Sequence, residues 1–406
     1  MKKASIALSI LLILISSTPY PPRLELASAS GGYAVYNPLT GEYEDFGFRM
    51  SIRIDNTRTS LTLVNYTLRI NVTWQDGMNP DFSDLRIAVE KGGIYEVIPF
   101  WIKEKVDGEY ALVYFKVPRI EGGSVQYAYV FFGNPSAAPL NYTARDVFLW
   151  YDDFEDGVFE SVYTNVGCGS VGESGGSLHF SDNGDYTSEF VYINSPSALI
   201  NWSNPLAGPW IRIEARMRQG NGGDGNDEWG VGYYSSSTVW ITFGPEDEAN
   251  NFGIAKPPDG DVSAVSGTYS VSIPNPGTEW YNITVIDYLN GTFQAYLDGV
   301  YEVRPTVSGF TWGYLAFGKH WDNTYDTFYV DYIIVRAYVD PEPIVTLGAV
   351  ETPAVYKLPA STLMLTHDVT YSPNSTQFTH ALTATNSSTA GYETAYTDAW
   401  GWRVYA

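Results

Sequence analysis

Apolar residues recur at every second position along much of this chain. Phe48-Arg49-Met50-Ser51-Ile52-Arg53-Ile54 alternates strictly, and so does Trp210-Ile211-Arg212-Ile213-Glu214-Ala215-Arg216-Met217. A period of two sends successive side chains to opposite faces, so each run is a half-buried β-strand. Turn clusters punctuate the runs: Asp76-Gly77, Lys91-Gly92-Gly93, Asp107-Gly108, Glu121-Gly122-Gly123, Asn290-Gly291 and Asp298-Gly299. No stretch of useful length carries a helical period. The pattern predicts an all-β protein made of antiparallel strands.

The strands fall into two tandem sandwiches. Residues 48–54, 66–74, 94–101, 111–117 and 125–132 define the first, within residues 30–149. Trp150-Tyr151-Asp152-Asp153-Phe154 opens the second, over residues 150–351, with strands at 210–217, 281–285, 293–297 and 328–335. The last is apolar on both faces, which predicts a central position. Residues 342–350 are expected to close this second unit. Residues 352–406 shift to Thr, Ser, Ala and Tyr and read as a tail, either a stalk or part of a third β module.

Composition narrows the function. Lys and Arg number 23 against 46 Asp and Glu, a net charge of −23. That excludes the basic footprint of a nucleic-acid binder and docking on anionic lipid. Apolar residues make up 44% of the chain, so it has material for cores and is no acidic solvated tail. Met1-Lys2-Lys3, the apolar residues 4–15 and Ala27-Ser28-Ala29 form the basic, apolar and small-residue order of a signal peptide over residues 1–29. Pro19, Pro21 and Pro22 end the apolar run short of the roughly 20 residues that span a bilayer. The expectation is a secreted, extracellular protein with no membrane span in the mature chain. Cys168 is the single cysteine, so no internal disulfide can form. Sequons stand at Asn65, Asn71, Asn141, Asn201, Asn282, Asn290, Asn374 and Asn386, and parity puts Asn65, Arg69 and Asn71 on one outward face.

Motifs for catalysis are weak. Gly172-Glu173-Ser174-Gly175-Gly176 fits a nucleophile motif, yet a strand follows it where a hydrolase elbow needs a helix. His179, His320, His367 and His380 all come after Ser174, so a His-first triad order is ruled out. Both facts favour a glycine-rich turn. Glu246-Asp247-Glu248 reads as a solvated loop, and the carboxylate spacing of jelly-roll glucanases is absent. No His-Glu-x-x-His or Cys-x-x-Cys offers a zinc site. Asn221-Gly222-Gly223-Asp224-Gly225-Asn226-Asp227-Glu228 is rich in oxygen but lacks EF-hand spacing, and reads as a turn. No catalytic residue is assigned.

Two sites are expected instead. Trp229 and Trp321 neighbour polar residues, Asp227-Glu228 and Asp322-Asn323, and both are read as glycan platforms, with Asp322 and Asn323 as polar contacts. Asp331 interrupts an apolar strand, on the same parity as Tyr329, Ile333 and Val335, and a buried lone carboxylate is costly. A structural Ca2+ held by Asp153 and Asp331 would relieve it.

Asn65-Tyr66, Asp81-Phe82-Ser83-Asp84-Leu85-Arg86, Ile98-Pro99-Phe100-Trp101-Ile102, Lys116-Val117-Pro118-Arg119-Ile120 and Phe131-Phe132-Gly133-Asn134-Pro135 carry a resemblance. The first unit resembles a domain family of unknown function found in archaeal and bacterial surface proteins. That family is commonly followed by a concanavalin A-like jelly roll of laminin-G type. Asp152-Asp153-Phe154-Glu155, Gly176-Ser177-Leu178-His179-Phe180, Ala295-Tyr296-Leu297-Asp298-Gly299 and Val330-Asp331-Tyr332-Ile333 are similar to its strands. The resemblance implies an exported adhesion module, no known reaction, and in such jelly rolls often a calcium ion between terminal strands.

The function expected is therefore non-enzymatic adhesion or glycan binding through the second sandwich. The rival is a structural subunit of a filament or surface layer, assembled by lending a strand, from residues 31–44 or the tail, to a neighbour. A polysaccharide hydrolase with an unrecognised carboxylate pair stands third. Cleavage after Ala29 is expected to leave Ser30 as the mature N-terminus, and intact mass of the secreted protein checks it; retention of residues 1–29 would refute it.

Overall fold

The computed structural model describes residues 32–181, 188–194, 210–220, 228–237, 239–246, 250–256, 265–274, 276–309, 313–320 and 326–353, and the backbone of four strands beyond them. Residues 1–29, expected to form a signal peptide, lie outside this range. The first unit holds β1 (Tyr33–Asn37), β2 (Glu42–Phe46), β3 (Phe48–Asp55), β4 (Leu63–Thr73), β5 (Arg86–Lys91), β6 (Ile94–Val97), β7 (Phe100–Val106), β8 (Tyr110–Ile120), β9 (Val125–Phe132) and a single turn of helix, α1 (Ala144–Val147). The second holds β10 (Trp150–Asp152), β11 (Tyr163–Val166), β12 (Ser170–Glu173), β13 (Leu178–Ser181), β14 (Glu189–Ile193), β15 (Trp210–Gln219), β16 (Glu228–Ser236), β17 (Val239–Glu246), β18 (Asn251–Ala255), β19 (Val265–Thr268), β20 (Ser270–Ser272), β21 (Tyr281–Asp287), β22 (Phe293–Leu297), β23 (Tyr301–Val307), β24 (Tyr314–His320) and β25 (Thr327–Tyr338). After β26 (Ile344–Glu351) the tail carries β27 (Thr362–Thr370), paired with β28 (Thr379–Ser387), and the short pair β29 (Tyr396–Thr397) and β30 (Arg403–Val404). The tail is thus not stalk alone.

Alternation builds two cores. A sheet of order β2-β1-β6-β5-β9-β3-β26 faces a three-stranded sheet, β4-β8-β7. Ile52, Ile54, Ala128 and Val130 from one meet Leu68, Ile70, Val113 and Phe115 from the other, all buried. In the second unit β12-β13-β25-β15-β21-β22-β23-β19, with β10 also on β25, faces β11-β14-β24-β16-β17-β18-β20. Ile213, Ala215, Val285 and Val335 meet Val231, Tyr233, Phe243 and Phe317 there. Each large apolar side chain so buried contributes about 1.5–3 kcal/mol. The fold is all-β, as the periodicity requires, and β25 is central.

Three expectations need correction. Residues 94–101 are not one strand: β6 joins the first sheet and β7 the three-stranded sheet, with Ile98-Pro99 crossing between them. Proline lacks the N–H that a ladder needs, so the pairing breaks there although the alternation continues. The second unit does not extend to Glu351. β26 leaves it and pairs antiparallel with β3, from Ile344↔Asp55 to Glu351↔Arg49. The second sandwich is therefore inserted between two strands of the first. Alternation tells which face is buried, not which strand lies alongside. Lastly, β1, within the segment considered for lending to a neighbour, is paired at home with β2 and, in parallel, with β6.

The two sandwiches meet along a buried joint. Tyr114 of β8, Ala144, Val147 and Phe148 around α1, and Ile334 of β25 form a third apolar cluster. Thr67 donates to the Val147 carbonyl at 2.6 Å, which explains why this odd position of β4 is buried. Beside the cluster lies Arg336, only 8% exposed. It donates to Glu342 at 2.6 and 3.1 Å, and Tyr66 of the first unit donates to the same carboxylate at 2.8 Å. Glu214 stands 3.7 Å from the same guanidinium. Burial alone would raise the pKa of Glu342, but Arg336 and Tyr66 hold it below the ordinary value. Burial and the Glu342 charge push the Tyr66 phenol up. Replacing one partner of a buried pair strands the other charge. Arg336→Met is expected to lower unfolding free energy by about 3–5 kcal/mol in denaturant titration; an unchanged midpoint would mean that the joint does not depend on this ion.

Candidate functional site

Trp229 is not a platform. It is 1% exposed, inside the second core, with its ring 6.2 Å from Tyr281 and 6.1 Å from Phe328. The alternation of β16 turns Trp229, Val231 and Tyr233 inward, whatever the polarity of the residues beside Trp229 in sequence. Trp321, Asp322 and Asn323 lie outside the described residues, as do residues 221–227, Asp247 and Glu248. Glu246 belongs to β17, opposite Glu228, and not to a loop.

Asp331 is explained by a β-bulge. Arg216 faces Tyr332 and Met217 faces Val330, so Asp331 is the extra residue on β25. The bulge inverts parity: Phe328 and Val330 enter the core before it, Ile333 and Val335 after it. Asp331 and Tyr332 both stay out of that core, and the expected common face of Asp331 with Ile333 and Val335 does not exist. Arg216 donates to the Asp331 carboxylate at 2.9 Å, so its charge is matched by protein. Asp153 accepts from Tyr151 at 3.1 Å. The electrostatic reason for calcium at Asp331 is therefore absent, and no group of three or more candidate ligands converges among the described residues. Asn65, Asn71, Asn141 and Asn290 are exposed. Asn282 is exposed too, but its amide donates to Asp298 at 3.1 Å and its oxygen accepts from Tyr332 at 3.3 Å. Asn386 falls in β28, and Asn201 and Asn374 lie outside the described residues.

The most developed surface is the outer face of the sheet containing β14, β24 and β16. Tyr234 lies opposite Tyr314 on one side and Trp240 on the other. Tyr192 of β14 stacks on both tyrosines, at 5.4 Å and 15° from Tyr234 and at 4.8 Å and 25° from Tyr314. Phe190 packs 4.8 Å from Tyr234 and 5.3 Å from Trp240, giving the cluster a buried base. Tyr314 is 43% exposed and forms its open rim. Burial and neighbouring Tyr192 push the Tyr234 phenol up, which favours its neutral form as a hydrogen-bonding group. Beside the rings lie glycines whose neighbours approach closely. Phe190 pairs with Gly318, Gly318 with Gly230, and Gly244 with Gly253. A Cβ on Gly318 would stand 2.4 Å from the Phe190 ring, and one on Gly244 would stand 1.6 Å from the Trp229 carbonyl oxygen. The glycines are needed for this close approach, which lets the Phe190 ring lie against Gly318 at the base of the cluster. An apolar ring face with hydroxyls at its edge suits a pyranose. A second, shallow concavity of about 540 Å³ lies on the first unit, lined by Glu90, Gly92, Gly93, Gln126, Tyr127 and Tyr129.

The turn between β12 and β13 carries the residual chemistry. Ser174 Oγ lies 3.4 Å from His179 Nδ1 across this hairpin, a long contact in an exposed turn. Both carboxylate oxygens of Glu173 are buried beside the carboxyl group of Asp156. Burial, then the charges of Asp152, Asp156 and Glu160, push its pKa up to about 7. Asp152 is raised by burial as well, although it accepts from Tyr163 at 2.8 Å and the Phe154 amide at 3.0 Å.

The profile of a domain of unknown function (DUF2341) matches residues 81–164, from β5 across α1 into β11. No curated protein matches the chain. Solved structures with similar folds include a sialidase, at 11% identity and TM-score 0.31, over 57% of this chain and only 20% of that one. The carbohydrate-binding module CBM66 from Bacillus subtilis shows 11% identity and TM-score 0.32, over 44% of this chain and 98% of its own. The carbohydrate recognition domain of Emp46p shows 14% identity and TM-score 0.30, over 44% and 90%.

Glu173 makes stability depend on pH with a definite sign. Its folded pKa is above the unfolded one, so the folded state holds the proton more tightly and loses stability as pH rises from about 4.5 to about 7. Glu173→Gln, which mimics the protonated form, is expected to raise the melting temperature at pH 8 and leave it unchanged at pH 4. Equal shifts at both values would contradict a strained carboxylate.

Proposed function

We propose that this is a secreted surface protein that binds glycan, without turning it over, on the tyrosine face of a concanavalin A-like jelly roll. The observation that carries the reading is the stack of Tyr192, Tyr234 and Tyr314 on an open sheet face with Tyr314 at its rim. Stacked neighbours hold each ring in place, so little side-chain freedom is lost when a sugar settles on them. The first sandwich, locked to the second through the Arg336 joint, acts as its rigid mount.

Titration calorimetry of the full chain against neutral hexasaccharides of β-linked glucose, mannose and xylose tests this. At least one is expected to bind, with Tyr314→Ala weakening it about tenfold, the effect of one lost aromatic contact. Binding that is indifferent to Tyr314 and Tyr234, or release of reducing ends during the titration, would overturn the proposal.

A further inference from the structure

The opposite sheet of the second sandwich carries a different surface. In its register His179 lies beside Tyr329, and Tyr329 beside Arg218. The Arg218 guanidinium carbon sits 4.3 Å from the Tyr329 ring centroid and 5.0 Å from that of Trp280. Arg216 reaches the same indole, at 5.2 Å. Tyr329 and Trp280 are both half-buried.

The charges of the two arginines are treated differently. Arg216 is paired with Asp331. Arg218 makes no ion pair among the described residues, and its Nε is buried without a hydrogen-bond partner. A buried N–H without an acceptor costs about 1–3 kcal/mol. Contact with the two rings fixes the guanidinium, and because Nε is buried it is the terminal Nη pair that is left to an incoming group. Carboxylate and sulfate oxygens match that edge with two parallel hydrogen bonds. The flanking indole offers an apolar surface to the ring that bears such an anion.

We propose that this row binds an acidic saccharide, a sugar ring bearing a carboxylate or a sulfate, with the anion on Arg218 and the ring against Trp280. The site lies on the sheet opposite the tyrosine face and does not rest on that reading. It would give the second sandwich two binding faces with different preferences, one neutral and one anionic.

The test is calorimetry of the full chain with trigalacturonate and with a chondroitin sulfate hexasaccharide, using fully methyl-esterified trigalacturonate as the uncharged control. One or both acidic oligomers are expected to bind, more weakly at 500 mM than at 50 mM NaCl, roughly as screening of an exposed contact requires. Arg218→Met keeps the stem on the rings and is expected to lose binding at least tenfold, with Arg218→Lys between it and the wild type. Trp280→Ala, checked by its melting curve, is expected to weaken the same ligands. Tyr314→Ala is expected to leave them unchanged, which separates this site from the tyrosine face. Binding by only one of the two oligomers supports the site and identifies its anion. Binding of neither, or binding that Arg218→Met leaves intact, would overturn it.

Discussion

A full positive charge sits almost without solvent where the chain passes from the second sandwich back to the first. Arg336 belongs to β25, the strand at the heart of the second unit, and its partner Glu342 lies on the short link to β26. Tyr66, from the three-stranded sheet of the first unit, completes the arrangement. Such a charge is tolerable only while all its partners are in place. The ion therefore ties together three things that could vary separately: the end of β25, the direction of the link, and the approach of the two sandwiches. The apolar cluster around Tyr114, Phe148 and Ile334 supplies adhesion at the joint, and the ion supplies its register.

With the joint fixed, the outer surfaces of the second sandwich divide. One sheet gives part of its outer face to the first unit, where Ile334 is buried, and keeps the remainder, around Arg218 and Trp280, at the surface. The other sheet turns its tyrosines and glycines away from the joint. The two candidate surfaces thus share a core but no side chain. A substitution on one can leave the other intact, which is the condition for telling their ligands apart.

Most strands were legible because burial on one face writes a period of two into the residues. β15 follows its alternation end to end, and β3 does so from Arg49 onward. Failures came where neighbours far away in sequence decide. Nothing local in residues 344–351 distinguishes an edge strand of the first sheet from a closing strand of the second. Asp331 looked like a stranded carboxylate because parity was carried through a bulge, and because Arg216, its partner, is 115 residues distant. Trp229 was judged by its polar neighbours rather than by its own parity, which turns it inward with Val231 and Tyr233. The tyrosine face was missed for a related reason. Tyr192, Tyr234 and Tyr314 come from three strands whose adjacency the alternation does not reveal. A hint was present in the glycines at 230, 232, 244, 253 and 318, unusual at so many strand positions.

The return of β26 to β3 also decides how the molecule would carry load. A pull on the chain beyond Glu351 reaches the first sheet directly, at the end of β26 that Arg49 holds by an ion pair of 2.8 Å. The second sandwich, attached through two covalent connections on the other side of that strand pair, is bypassed. Because Glu351 faces the start of β3, such a pull peels the ladder from one end, one hydrogen bond at a time, and the first bond to fail lies beside Arg49. A protein anchored through its tail would thus be tethered by the first sheet.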